Sequence, residues 1–278
     1  MKSRNDIRLL DEGAPPAGGC TVLDCRLSCL GAELALRVQV PDARASLADV
    51  VPLARSICDL LTGLVERDAA ARGLTISCRK GCGDCCTNYL VPMTAPEAFR
   101  LLDDLGALGD GERRRLEAAF TAAAGRLEAS GLCEVYRGMD PADADSPRRQ
   151  RDLAGKWWSA NRFPCPLLRD AACSHYPLRP MPCREFLVTS PPDNCRNNSE
   201  TRLHRPFAMH SLLSRWAAEL EGTRGVLVLL PNFLAWVQGK SARRQRTWRA
   251  PLIVRRFLDI LAEAARRGAA GTSSDRSD

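Results

Sequence analysis

The chain has 278 residues, of which 45% are hydrophobic and 26% charged, and its formal net charge is +7. This length is enough to bury a full hydrophobic core, so the fold does not need a metal to stabilise a very small domain. No apolar run is long enough to be a signal peptide or to cross a bilayer, which predicts a cytoplasmic protein without membrane contacts. The basic residues are scattered, and their densest run, Arg243 to Arg249, is short. The charge therefore does not favour nucleic-acid binding, and an unknown protein or small-molecule substrate is the expected partner.

The N-terminal part predicts a small β element followed by a helix. Residues 1–19 are rich in Gly and Pro and are expected to form a flexible N-terminus. Residues 20–40 predict strands, with a turn at Gly31 and an alternating apolar pattern after it. A helix is then expected from Asp49, as its N-terminal cap, to Gly73.

Two well-marked helices follow. Thr94 and Glu97 form a capping-box pattern before a helix that ends near Gly106. Asp110 begins the next helix, which Gly131 ends; its buried face is expected to consist of Leu116, Phe120, Ala123 and Leu127. Residues 137–156 predict an exposed connection.

The remainder combines an irregular segment with further helices. Residues 161–198 are crowded with Pro, Cys and Asn and have no sustained period. Helices are then predicted from Pro206, from Pro231 and around Leu252 to Ala264, with a short strand over residues 226–230. The sequence thus predicts a mainly α fold with a small N-terminal β element, in which an irregular Cys/Pro-rich segment packs on helices. Residues 20–268 are expected to form a single domain and residues 269–278 a disordered tail.

The strongest functional signal is the stretch CRKGCGDCC, which contains Cys78, Cys82, Cys85 and Cys86. These spacings let one curled segment direct several sulfurs at one ion or cluster, and Gly81 and Gly83 are expected to supply the positive φ angles that the curl needs. Adjacent cysteines have diverging side chains, so one of the pair Cys85 and Cys86 is expected to serve or bridge a second metal.

A second group of cysteines lies about eighty residues further on. It consists of Cys165, Cys173, Cys183 and Cys195, and prolines between them limit the entropy lost when the segment becomes ordered. Arg179 and Arg184 lie where a negatively charged thiolate centre needs hydrogen-bond donors. Thiols stay reduced in the cytoplasm, so these clustered cysteines predict metal ligands rather than disulfides.

The remaining candidates carry weaker signals. Cys20, Cys25 and Cys29 fall in the predicted β element, where sheet packing is expected, with ancillary metal binding as the alternative. Cys58 and Cys133 are interpreted as bystanders. His175 is expected to pack or form hydrogen bonds beside the centre rather than to bind the metal.

These blocks resemble the YkgJ-like cysteine-cluster family, and the resemblance implies a zinc- or iron-chelating protein. Its hallmark is a CxxCxxCC motif, followed by CP-x-L and by C-x-x-Y-x-x-RP-x-x-CR. The matching residues are Cys78, Cys82, Cys85 and Cys86, then Cys165, Pro166 and Leu168, then Cys173, Tyr176, Arg179, Pro180, Cys183 and Arg184. The resemblance covers residues 75–200; three residues instead of two separate Cys78 from Cys82.

Three functional hypotheses follow. In the first, one or two iron–sulfur or iron centres serve a redox enzyme or electron carrier, because eight thiolates without a histidine set suit iron–sulfur chemistry. In the second, Zn²⁺ has a structural role in an interaction module. In the third, the CxxxCxxC spacing of Cys78, Cys82 and Cys85 resembles the cluster motif of radical S-adenosylmethionine enzymes. The cysteine-cluster group also resembles flagellin lysine N-methylases, which implies a protein lysine methylase-like enzyme. The predicted helix before Cys78 and the lack of an alternating βα pattern oppose this third hypothesis.

Overall fold

The computed structural model describes residues 6–132, 155–203, 205–206, 208–223 and 225–271. Its α-helices are α1 (Val51–Ala71), α2 (Ala95–Gly106), α3 (Asp110–Ala129), α4 (residues 155–161), α5 (Met181–Glu185), α6 (Met209–Glu221), α7 (Phe233–Val237), α8 (Ser241–Arg244) and α9 (Ala250–Gly271). Its strands are β1 (Arg8–Leu9), β2 (Cys20–Cys29), β3 (Ala32–Pro41), β4 (Arg44–Ala45), β5 (Pro92–Thr94), β6 (Leu168–Arg169), β7 (Ala172–Cys173), β8 (Leu227–Leu229) and β9 (Trp248–Arg249). The predicted fold class, mainly α with a small N-terminal β element, is confirmed.

The N-terminal sheet has the order β1-β3-β2, and both pairings are antiparallel. Leu30 and Gly31 have φ angles of +53° and +75°, which gives the tight turn between β2 and β3 that the sequence predicts at Gly31. Strand β1 lies within the segment 1–19 that was expected to be flexible. Ile7 is only 4% exposed, and this burial accounts for the order around it.

The larger hydrophobic core lies between this sheet and the helices α1, α6 and α9. Trp216 of α6 contacts Phe257 of α9 edge to face, with ring centroids 5.6 Å apart, and the Trp216 indole N–H donates to the Ile253 carbonyl oxygen at 2.8 Å. The helix predicted around Leu252 to Ala264 is present as α9, and its residues Phe257, Ile260, Leu261 and Ala264 are buried, whereas Leu252 is 63% exposed. Leu252 lies in the first turn of α9, where it faces away from the core.

A second core supports the cysteine-rich segments. The predicted cap of α2 is confirmed, because the Thr94 hydroxyl accepts from the Glu97 amide while the Glu97 carboxylate accepts from Thr94. The four residues predicted for the buried face of α3 are all buried. Phe120 on that face packs edge to face on Phe233 of α7, with ring centroids 4.6 Å apart. Cys86, Cys173 and Cys183 pack against this core, and so its helices position the sulfur-bearing segments.

Several local expectations differ from the structure. Asp49 is not the cap of α1; it closes a capping box with Ser46 in the 3-10 turn Leu47–Val50 that leads into the helix. The predicted irregular segment does contain short elements, namely β6, β7 and α5. Helix α9 runs to Gly271, two residues beyond the expected start of the tail at residue 269. The predicted connection over residues 137–156 lies largely outside the described residues.

In the described part of the chain, every strand pairing is antiparallel, and α1 precedes the first cysteine cluster. Those residues therefore do not form a parallel βα barrel. No helix among the described residues is long and apolar enough to cross a membrane.

A buried ion pair joins α1 to α2, and its arginine also contacts the second cysteine segment. Arg55 of α1 and Asp104 of α2 lie 2.8 Å apart, with side chains 9% and 5% exposed. Arg55 also donates to the Leu178 carbonyl oxygen at 3.1 Å. Removing the carboxylate would leave a buried guanidinium without its counter-charge.

We expect Asp104→Ala to lower the free energy of unfolding by about 3–5 kcal/mol, because it leaves this buried charge unpaired. Glu117→Ala, which breaks an exposed pair with Arg113, is the matched control and should change stability by less than about 1 kcal/mol. Urea unfolding measures both. Equal effects of the two variants would contradict a structural role for the buried pair.

Candidate metal centre

The first cysteine segment is a compact curl that is fixed at both ends by backbone hydrogen bonds. The Ser77 amide donates to the Val188 carbonyl oxygen at 2.9 Å. Gly81 has a φ angle of +93°, as the sequence predicts. A 3-10 turn, Cys85–Thr87, follows, and its Cys85 carbonyl accepts from the Tyr89 amide at 2.8 Å. The curl places four sulfurs within nine residues.

Gly83 has a different role from the one predicted, because it does not have a positive φ angle. A Cβ atom at this position would lie 2.2 Å from the Ala171 carbonyl oxygen. The two cysteine segments therefore touch backbone to backbone here. Only glycine permits this approach.

The second segment presents its sulfurs from a hairpin and a short helix. Asp170 and Ala171 have φ angles of +50° and +59° and form the tight turn between β6 and β7, with Cys173 on β7. The Cys165 amide donates to the Cys86 carbonyl oxygen at 2.7 Å, which joins the two segments. Cys183 lies in α5, which Pro180 and Pro182 begin.

Six of the eight predicted ligands line one small internal cavity of about 40 Å³. They come from both segments: Cys82, Cys85, Cys86, Cys165, Cys173 and Cys183. The wall also contains Tyr89, Tyr176 and Arg179. The fold thus brings together sulfurs that are separated by up to a hundred residues of sequence.

The other two predicted ligands lie beside this sulfur-lined cavity. The Cys78 sulfur accepts from the Val188 amide at 3.4 Å, and the thiol contacts the Phe186 carbonyl oxygen at 3.6 Å. Cys195 lines a second, larger cavity of about 660 Å³. Cys85 lines both cavities and so occupies the boundary between them.

The thiols hinder one another's ionisation. The hydrogen bond that the Cys86 thiol shares with the Cys165 sulfur, together with burial, raises the pKa of Cys86 to about 12. Contact with the Cys86 thiol, followed by burial, raises the pKa of Cys85 well above its ordinary value. Burial raises the pKa of Cys183, and the neighbouring charges of Cys85 and Cys86 raise it further. The nearby Arg179 guanidinium acts in the opposite direction on both Cys85 and Cys183.

Cys78, Cys82 and Cys195 also lie within electrostatic reach of Cys85. Burial is the main cause of the raised pKa of each of them, and it brings that of Cys195 to about 12. The charge of Cys85 raises the pKa of all three. The charge of Cys85 therefore acts on these three cysteines as well as on Cys183.

The donor chemistry of the sulfur-lined cavity fits a soft metal ion. Six thiols, a buried setting and a guanidinium are features of thiolate-bound zinc and iron sites, and a cation would offset the mutual repulsion of the thiolates. Among the described residues, however, no group of three or more His, Cys, Asp or Glu side chains already has the geometry to hold a metal. Binding would therefore require the cysteine side chains to rotate toward a common point.

The two arginines of the motif differ in role. Arg179 lines the sulfur-lined cavity, lies over the Tyr176 ring at 3.4 Å and donates to the Cys183 carbonyl oxygen at 3.4 Å. The expectation for Arg184 is wrong. Arg184 donates to both oxygens of Asp59 at 2.7 Å and to the Arg179 carbonyl oxygen at 3.0 Å, so it anchors the segment rather than facing the thiols.

The weaker candidates lie outside the cavity wall. His175 is buried beside it, with Nδ1 3.0 Å from the Ser174 hydroxyl, and it does not line the cavity. Cys25, Cys29 and Cys58 pack in or against the larger core, and Cys20 begins β2, so none of them approaches the six sulfurs. Cys133 lies outside the described residues.

Two supporting residues were not identified from the sequence. The Cys82 thiol donates to Asp84 at 3.3 Å, and Asp84 also pairs with Arg196. The Asn88 amide nitrogen donates to the Cys195 carbonyl oxygen at 3.2 Å. Asp84 lies inside the first motif, so its position was a usable signal, whereas nothing in the sequence marks Asn88.

Residues 77–204, just under half of the chain, match the model of the CxxCxxCC family, described as a "putative zinc- or iron-chelating domain". This part of the chain is similar to that domain. The match confirms the predicted family resemblance, and all eight candidate ligands lie within it. Comparison with curated proteins and with solved structures gives no match.

The contact between Gly83 and Ala171 yields a prediction for metal binding. Gly83→Ala places a Cβ atom against backbone and must separate the two cysteine segments, so we expect a lower melting temperature and less bound metal. Gly111→Ala is the control, because a Cβ at that helical position has open space and alanine favours a helix. Metal analysis and thermal unfolding of both variants measure the effect. Unchanged metal content in Gly83→Ala would contradict the importance of this contact.

The raised thiol pKa values yield a second prediction. Thiols of the unfolded chain ionise near pH 8.5, whereas Cys86 and Cys195 stay protonated in the folded, metal-free protein until about pH 12. The unfolded state therefore loses protons first, and the stability of the metal-free protein should fall as the pH rises above about 8.5. Bound metal fixes the ligands as thiolates, so the metal-loaded protein should lose less stability between pH 8 and 10. Identical pH profiles with and without metal would argue against thiolate ligation.

Proposed function

We propose that this chain is a cysteine-ligated iron–sulfur protein with a redox role, and that the six cavity cysteines are the principal ligands. The observation that carries the proposal is the convergence of six thiols from two distant segments on one buried cavity. The chelating CxxCxxCC domain supports metal binding in general, and the choice of iron–sulfur chemistry rests on the donor set.

That donor set contains only sulfur and exceeds the need of one zinc ion. A structural zinc site takes four ligands, so six thiols around one cavity favour a centre with more than one metal ion. Among the described residues, no histidine lines the cavity. All-thiolate ligation is typical of iron–sulfur clusters, which supply one-electron transfer when bound.

The surrounding residues would control such a centre. Arg179 brings a positive charge that favours the thiolate forms of Cys85, Cys173 and Cys183. Tyr89 and Tyr176 line the wall and limit the access of water. A reducing cytoplasm, which we propose as the location, would keep the thiols available for the metal.

A structural zinc site is the second candidate, and the small size of the cavity favours it. A volume of about 40 Å³ is close to what one or two ions occupy, and closed all-cysteine zinc sites are normally structural. In that case the metal would fasten residues 78–86 to residues 165–195 so that the chain can bind a protein partner.

S-adenosylmethionine chemistry has no place in the proposal. Radical enzymes that use it carry their cluster motif after the first strand of a βα barrel, whereas here α1 precedes Cys78 and the described strands pair antiparallel. The lysine methylase alternative therefore loses its structural basis.

Paired substitutions test the ligand assignment. Cys183→Ala removes a sulfur from the cavity wall, so we expect a large loss of bound metal together with a lower melting temperature. Cys58→Ala removes a buried thiol from α1 in the larger core, and it should lower stability modestly while leaving the metal content unchanged. Equal metal content in the two variants would refute the assignment.

The identity of the metal is tested on anaerobically purified protein. We expect iron together with acid-labile sulfide and a broad charge-transfer absorption band. Colourless protein with stoichiometric zinc and no sulfide would overturn the redox proposal in favour of the structural one.

A further inference from the structure

The densest basic run of the sequence takes no part in the cysteine centre, and in the structure it forms one basic face on and around α8 and β9. The members of the basic face are Lys240, Arg243, Arg244, Arg246 and Arg249. Arg243, Arg244 and Arg246 line one small recess together with Trp248. The charges of this run therefore lie side by side rather than scattered over the surface.

Two half-buried tryptophans hold cations of the basic face in position. The Lys240 ammonium and the Arg243 guanidinium lie 5.4 and 5.7 Å from the centroid of the Trp236 ring. The Arg246 guanidinium lies 5.2 Å from the centroid of the Trp248 ring. A guanidinium that stacks on a ring keeps the N–H groups of its edge available. Because these side chains are already restrained, they lose less conformational freedom when an anion binds.

The positive charge of the basic face is only partly neutralised within the protein. Arg243 donates to both carboxylate oxygens of Glu221, and Arg244 pairs with Asp103. The other three members of the face form no ion pair with a carboxylate of the described residues. The face thus keeps an excess of positive charge that an acidic partner would complement.

The short ladder between β4 and β9 places two arginines opposite each other. Arg249 is the register partner of Arg44, and both residues are exposed. The Arg44 Nε donates to the Thr247 hydroxyl at 2.9 Å, which ties this arginine to the strand-bearing loop. Like charges directly opposite on an antiparallel pair are destabilising. An anionic group bound between them would remove that repulsion.

The surroundings of the tryptophans favour a protein partner over a nucleic acid. Single-stranded nucleic acid needs exposed rings on which bases can stack. Trp236 already contacts Phe99, with ring centroids 5.4 Å apart, and Trp248 packs against the larger core. Helix α8 has four residues and is too short to serve as a recognition helix in a groove. Trp and Arg are, by contrast, the residues enriched at the centres of protein–protein interfaces.

We propose that the basic face binds an acidic segment of a partner protein, in which neighbouring Asp or Glu side chains contact Lys240, Arg246 and Arg249. The preformed stacking of the cations on tryptophan and the charge excess carry the proposal. It does not depend on which metal the cysteine centre holds, because these residues lie outside the sulfur-lined cavity.

The experiment measures the binding of three fluorescent probes to the purified full chain by anisotropy. The probes are decaglutamate, decalysine and decathymidylate. We expect decaglutamate to bind more tightly than decathymidylate, decalysine to show no binding, and the affinity for decaglutamate to fall at least about tenfold between about 0.01 M and 0.15 M salt. Absence of decaglutamate binding, or equal or tighter binding of decathymidylate, would overturn the proposal.

Charge reversal locates the surface. Lys240→Glu combined with Arg246→Glu should weaken decaglutamate at least about tenfold at an unchanged melting temperature and metal content. The matched control combines Arg26→Glu on β2 with Arg114→Glu on α3, two exposed positions outside the basic face, and changes the net charge equally. We expect the control to stay within about twofold of the wild-type affinity.

A milder pair of substitutions covers the case in which charge reversal disturbs folding. Lys240→Gln combined with Arg246→Gln removes the two charges without adding repulsion, and it should weaken decaglutamate by less than the reversal does. Wild-type affinity in the Gln pair and the Glu pair would refute the surface. An equal loss in the control at positions 26 and 114 would show that net charge alone binds the probe, which also overturns the proposal.

Discussion

Closely packed thiols in a buried site cannot all ionise unless a cation shares the site. In this protein the thiols around Cys85 are held together by contacts that do not involve sulfur, such as the approach of Gly83 to Ala171 and the bond from the Cys165 amide to the Cys86 carbonyl. The fold therefore imposes proximity, while burial and mutual repulsion oppose the charged state. A bound metal would relieve this conflict, which explains how its loss could affect both chemistry and stability.

Cys85 lies at the boundary between two cavities of different size. The sulfur-lined cavity is small and packs against the second core, whereas the neighbouring cavity is large. Cys85 borders both. An electron carrier needs only a metal centre, whereas an enzyme also needs a cavity that holds its substrate. The adjacent cavity is thus the structural reason to look for a substrate.

Much of this could be predicted from local sequence. Caps, glycines and apolar periods located β2, β3, α1, α2 and α3, because these signals act within a few residues. Contacts between residues that are far apart in the sequence could not be predicted from such local signals. The close approach at Gly83, the anchoring of Arg184 by Asp59 and the burial of Ile7 with β1 each depend on a partner far away in the sequence. The position of Arg44 opposite Arg249 across β4 and β9 likewise appears only once the chain is folded.

X-ray absorption at the metal edge of the purified protein tests the central claim most directly, because it reports the atoms bound to the metal without any substitution. The account predicts a first shell made of sulfur alone, at about 2.3 Å if the metal is zinc, with iron neighbours beyond it if a cluster is present. A first shell dominated by nitrogen or oxygen would contradict the cysteine-ligated centre.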